Sequence, residues 1–169
     1  MRRKRVIVLA VALAFAGAAC KRRSSSNSTA LRSVVLMSDP HSAGQLLSGF
    51  HDVEAGAWRW TERTFSIRLA RPRGAEQKGA MLSVKLTVPP VTIDKLKSVQ
   101  LSASVNGTTT DAETYSAPGD YVYRRELPPG ALATDPVRVN FTLDKAIPPG
   151  NPDVRQLGIV VLAIGLEPR

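Results

Sequence analysis

The stretch from Met81 to Pro90, MLSVKLTVPP, sets the strongest constraint on the fold. Leu82, Val84, Leu86 and Val88 share one face and Ser83, Lys85 and Thr87 the other, which is the two-residue period of a half-buried strand. Pro89 and Pro90 then stop it, because proline cannot donate to a sheet ladder. VRVNFTL repeats the pattern with Val137, Val139, Phe141 and Leu143 inward, and Pro148-Pro149-Gly150 makes the turn that follows. SVQLSASVNG is a further strand running into Asn106-Gly107, a pair suited to the positive φ angles of a tight hairpin, with Thr108 to Tyr115 as the expected partner. YVYRREL alternates again between Pro118-Gly119-Asp120 and Pro128-Pro129-Gly130. LGIVVLAIGL is apolar on both faces, which predicts a central or sandwiched strand and is too short to cross a bilayer as a helix. With WRW and TFSIRL there are about eight or nine short strands, and SAGQLLSGF holds at most one helical turn. The expectation is an all-β fold: a single antiparallel β-sandwich of jelly-roll form over residues 31–169.

The first residues carry a different message. MRRKR is followed by a run of about fourteen apolar residues, Val6 to Ala19, ending in small residues before Cys20, the layout of an export signal. The run is shorter than the roughly 20 residues a spanning helix needs, so residues 1–19 are expected to be a cleaved signal. The sole cysteine excludes a disulfide within the chain and makes no thiolate metal site. Its setting resembles the lipobox of bacterial lipoproteins, although Gly17 stands where that pattern carries a large aliphatic residue. The resemblance implies acylation of Cys20, a lipid bilayer as partner, and a place in the bacterial cell envelope on the periplasmic or surface side. The alternative is a plain signal peptide or a short anchor that happens to contain a cysteine.

Residues 20–30, CKRRSSSNSTA, form a basic Ser-rich tether without apolar periodicity. Seven of the 23 basic residues precede Ala30, which leaves 16 against 14 acidic ones in the remainder. The folded part is therefore nearly neutral, and a nucleic-acid partner, which needs a basic face, is not expected. The basic tether suits anionic lipid headgroups instead.

GFHDVE, WRWTE with FSIRL, VNG and PDVRQLGIVV together resemble a β-sandwich module of bacterial cell-surface glycan proteins, a carbohydrate-binding-like jelly roll associated with glycosyltransferases. The matching positions are Gly49, Phe50, Glu54, Arg59, Trp60, Thr61, Asn106, Gly107, Asp153, Arg155, Leu157 and Gly158. The resemblance implies the same fold and a glycan-binding face. No transferase domain accompanies it in this chain.

Trp58 and Trp60 lie two apart in an expected strand and so point to one face, with Arg59 on the other. Outward, two indoles make a platform for sugars; inward, they are core, the commoner place for strand aromatics. Glu54 and Arg155 are a candidate charge pair, either pinning the first and last strands together or meeting a ligand. His51, Asp52 and Glu54 carry ligating atoms, but neighbours in a strand face opposite ways and no metal is expected. His41 lies among turn residues with no Gly-x-Ser-x-Gly elbow, and no hydrolase triad is assigned. The reading is a membrane-anchored, non-catalytic envelope lipoprotein that needs no cofactor and binds a glycan or envelope polymer. Trp58, Trp60, Glu54, Arg59 and Arg155 are its candidate ligand residues. An adaptor for another envelope protein and a glycan-active enzyme are the alternatives.

Overall fold

The computed structural model describes residues 30–169. The expected signal, Cys20 and the tether as far as residue 29 lie outside the described residues. The strands are β1 (Val34–Leu36), β2 (Leu46–Glu54), β3 (Trp58–Leu69), β4 (Ala80–Val88), β5 (Val99–Val105), β6 (Thr108–Thr109), β7 (Glu113–Tyr115), β8 (Gly119–Leu127), β9 (Val137–Leu143) and β10 (Val160–Pro168). Two short helices interrupt them, α1 (Ala75–Lys78) and α2 (Pro90–Leu96). Pro90, which cannot extend β4, is well placed in the first turn of α2, where its missing N–H is not needed.

All pairings are antiparallel, and they make a sandwich. In one layer β2, β3, β9 and β5 lie side by side, with β7 and β6 sharing the far edge of β5. In the other, β8 pairs β4, β4 pairs β10, and β1 runs along the later half of β10. β3 belongs to both: Arg59 and Trp60 pair with β10, whereas Thr64 to Leu69 pair with β9. From β3 onward the longer strands β3, β4, β5, β8, β9 and β10 thus alternate between layers in chain order, the jelly-roll pattern expected from the sequence.

The core is where the alternation places it. Leu82, Val84, Leu86 and Val88 of β4 are buried, as are Val137, Val139, Phe141 and Leu143 of β9. Phe65 stacks on Phe141 with ring centroids 4.7 Å apart, and Phe50 meets the edge of Phe65 at 5.3 Å. Side chains of this size contribute roughly 1.5–3 kcal/mol each when fully buried. Asn106 and Gly107 have φ of 47° and 85°, the two left-handed residues that a tight hairpin needs.

The partner of that hairpin differs from expectation. Thr108 to Tyr115 is not one strand but two, β6 and β7, parted at Thr110 to Ala112. The Thr110 N–H still donates to the Ala103 carbonyl, but the Ala103 N–H turns to the Thr110 hydroxyl, which also meets the Tyr123 hydroxyl, and the regular ladder stops there. Tyr115 is buried against Tyr121, and its hydroxyl has no hydrogen-bond partner among the described residues.

Candidate functional site

The β2–β3 hairpin turns on Ala55 and Gly56, with φ of 48° and 63°, and brings Glu54 opposite Trp58. Beyond the turn Trp58 and Trp60 project together on the outer side of the second layer, and both are half-buried. Neither indole enters the core, the commoner fate of strand aromatics. The reason is alternation along β3: Thr61, Phe65, Ile67 and Leu69 face inward, and the strand's first residues, held between β2 and β10, turn Trp58 and Trp60 to the other face.

Trp60 pairs with Val160, Val160 with Thr87, and Thr87 with Asp120. One straight row therefore crosses β3, β10, β4 and β8, roughly 14 Å at the usual spacing between strands. Above it lies an open groove of about 430 Å³ lined by Glu54, Trp58, Trp60, Thr87, Pro89, Asp120, Val160 and Leu162. A second hollow of about 280 Å³ continues from it, sharing Asp120 and Leu162 and adding Lys85, Tyr121 and Val122. Leu162 and Val122 are 36% and 46% exposed, large apolar residues on an outer face that alternation would fill with polar ones.

At one end Glu54 is held from behind. Arg155 donates from Nη1 to Glu54 Oε1 at 2.7 Å and grips Asp153 with Nε and Nη2 at 3.0 and 2.8 Å. The Arg155 backbone N–H also donates to Asp153 Oδ1. These bonds from Arg155, side chain first and backbone second, pull the Asp153 carboxyl down to about 2. The guanidinium is in turn held above its ordinary value by Asp153 and then Glu54. At the other end the Thr87 hydroxyl donates to Asp120 Oδ1 at 2.5 Å.

Of the five candidate ligand residues, the structure gathers Trp58, Trp60 and Glu54 around the groove and sets Arg155 directly behind Glu54. Arg59 does not join them. Its guanidinium lies on the opposite face of β3, bonded to the carbonyls of His51 and Met37, where it ties β2 and the segment after β1 to β3. Thr61 is fully buried, and its hydroxyl accepts from the Ile159 N–H at 3.2 Å. Gly158 has no room for a side chain: a Cβ would stand 2.5 Å from Leu143 and 2.8 Å from the Thr61 hydroxyl. The Arg-Trp-Thr and Asp-x-Arg-x-Leu-Gly motifs thus mostly seam β3 to β10, and only Trp60 of these faces the groove. His51 bonds the carbonyl of Gln156 at 2.7 Å, and no group of three or more His, Cys, Asp or Glu among the described residues is arranged to hold a metal.

Sequence reasoning missed Thr87, Pro89, Asp120, Val160 and Leu162. The one signal for them was the two-sided apolar character of LGIVVLAIGL, which marks a strand with something apolar on its outer face but not what that is.

No family model matches the chain, and no curated protein does. Among solved structures, it is similar to a carbohydrate-binding module studied for specific mannan recognition. That match has a TM-score of 0.46 at 14% identity and covers 83% of this chain and 98% of the other.

Proposed function

We propose that this protein binds a glycan or envelope polymer, without cleaving it, in the groove at Trp58 and Trp60, while acylated Cys20 holds it at a membrane of the bacterial envelope. The observation that carries the reading is the pair of half-buried indoles standing side by side along one wall of an open groove, with a carboxylate at either end. A sugar ring has apolar C–H faces and a polar rim. Indole faces and the Val160 and Leu162 side chains suit the first, and Glu54, Thr87 and Asp120 suit the second.

Glu54 rests on the Arg155 guanidinium, whereas a glycosidase keeps its general acid in apolar surroundings, and this supports binding without cleavage. Anchoring is supported by the basic, apolar, small-residue and cysteine order of the first 20 residues. An acyl chain and the adjacent Lys21-Arg22-Arg23 together supply the two signals that durable attachment takes.

The test is a pull-down on isolated envelope polysaccharides, with Trp58→Ala and Trp60→Ala beside the parent chain. Retention of the parent and release of both variants, with their melting transitions intact, is the expected result. Equal retention of all three, or release of reducing ends from the polymer, contradicts the reading. Metabolic labelling with a fatty acid, lost in Cys20→Ala, tests the anchor.

A further inference from the structure

We infer that the groove takes an uncharged, hydroxyl-rich polysaccharide and rejects acidic polymers; this rests on the glycan reading above and names its substrate class. The inference comes from which hydrogen-bonding atoms are already committed. Glu54 Oε1 is taken by Arg155 and Asp120 Oδ1 by the Thr87 hydroxyl. No hydrogen bond from the described residues reaches Glu54 Oε2 or Asp120 Oδ2. Each carboxylate therefore keeps one oxygen for a ligand. Thr87, whose hydroxyl hydrogen is directed at Asp120, has only lone pairs to offer.

The rim is thus a set of acceptors, and the remaining side-chain donors are the neutral indole N–H groups. Among the described residues no lysine or arginine lines the main groove. Arg155 stands behind Glu54 with three of its five N–H donors given to Glu54 and Asp153, and it lines a different hollow beside Lys95 and Ile147, while Lys85 belongs to the adjoining hollow. A sugar hydroxyl donates to either free oxygen and lays its ring on the apolar floor. A carboxylate, sulfate or phosphate on a polymer seated in the main groove would instead meet the carboxylates of Glu54 and Asp120 beside apolar walls, with no lysine or arginine among the described residues lining that groove. That juxtaposition selects against it independently of how well the sugar stacks.

The experiment is affinity electrophoresis of the full chain in detergent micelles through gels holding galactomannan, mixed-linkage β-glucan or xylan. Each polymer is paired with its carboxymethylated derivative at equal loading. The expected result is retardation by at least one neutral polymer and binding at least about tenfold weaker to its carboxymethylated form. Added salt should narrow that gap, because screening weakens repulsion between exposed charges. Asp120→Asn should lower the ratio of neutral to carboxymethyl affinity at least about threefold, whatever it does to neutral affinity alone. Equal or tighter binding of the carboxymethylated polymer, or a ratio indifferent to Asp120→Asn, overturns the inference while leaving glycan binding intact. Failure of both forms of every polymer to bind, with Trp60→Ala indistinguishable from the parent, removes the glycan reading and the inference together.

Discussion

Gly49 offers a quantitative check on the packing that positions the groove. It has φ of 73°, and a Cβ built on it would lie 2.0 Å from the Thr64 carbonyl oxygen and 2.8 Å from Phe65 Cα. Gly56, at the hairpin tip, has nearly the same φ of 63° with nothing within 4 Å. Alanine at either position incurs the left-handed penalty of about 1–2 kcal/mol. Only at position 49 must a backbone also move. Thr64 and Phe65 cannot withdraw, because they are paired to Thr142 and Phe141 of β9 at the place where β3 changes layers. Gly49→Ala therefore adds an overpacking cost of roughly 1–3 kcal/mol, for a total of about 2–5 kcal/mol. Against a typical domain stability of about 5–15 kcal/mol, that is a large fraction. Urea unfolding followed by far-UV circular dichroism gives the midpoints and slopes. The expected order is parent, Gly56→Ala, then Gly49→Ala, with the last pair separated by at least about 1 kcal/mol. Midpoints for the two variants within error of each other would refute the close approach of β2 to β3. The consequence for the Gly-Phe motif is direct: Gly49 lets β2 close on β3 so that Phe50 meets Phe65, which is a packing role.

Two further outcomes are expected. Burial, and then the nearby Glu113 carboxylate, push the Tyr115 phenol upward, yet nothing bonds its hydroxyl in hydrogen-bond geometry; Tyr115→Phe should stabilise the fold by about 1 kcal/mol in the same urea assay, and destabilisation would show that the hydroxyl has a partner. Asp153 is depressed from 3.8 to about 2, so its contribution to stability is fully present above its unfolded value and disappears as pH falls through about 2. Carboxyl-carbon NMR should place its midpoint near there in the parent chain and return it toward the ordinary aspartate range in Arg155→Ala; an unchanged midpoint would break the assignment of cause.

The alternation in MLSVKLTV and VRVNFTL carries the inward faces of β4 and β9 directly, and Asn106-Gly107 carries a hairpin, because each of these is decided within a few residues of sequence. The Thr108–Tyr115 segment was not readable in the same way: the Thr110 hydroxyl competes for backbone groups of Ala103, and the competition appears only once β5 and β8 are both in place. That Trp58 and Trp60 share a face follows from their spacing. That this face is opposite Phe65, Ile67 and Leu69 follows from the same period, but that it borders a groove depends on β10 lying against the start of β3, a pairing between Trp60 and Val160 that no local pattern encodes. Asp120 and Thr87 were invisible for the same reason, being ordinary outward residues until the row across four strands sets them beside the indoles. The Glu54–Arg155 contact was legible from complementary charge, and its place at the end of the groove was not. Arg59 lies on the face opposite the tryptophans, as the two-residue period requires, and there it binds backbone carbonyls and does not reach the groove.

Both tryptophans of the chain line the groove, which makes their fluorescence a reporter of that surface alone. Titration of the full chain with envelope polysaccharide, read by emission wavelength and by acrylamide quenching, is the most direct test of glycan binding there. A saturable blue shift with reduced quenching, abolished when Trp60 is replaced by alanine, is the predicted result. Saturable binding seen by an independent method with emission and quenching unchanged would place the ligand elsewhere and contradict it.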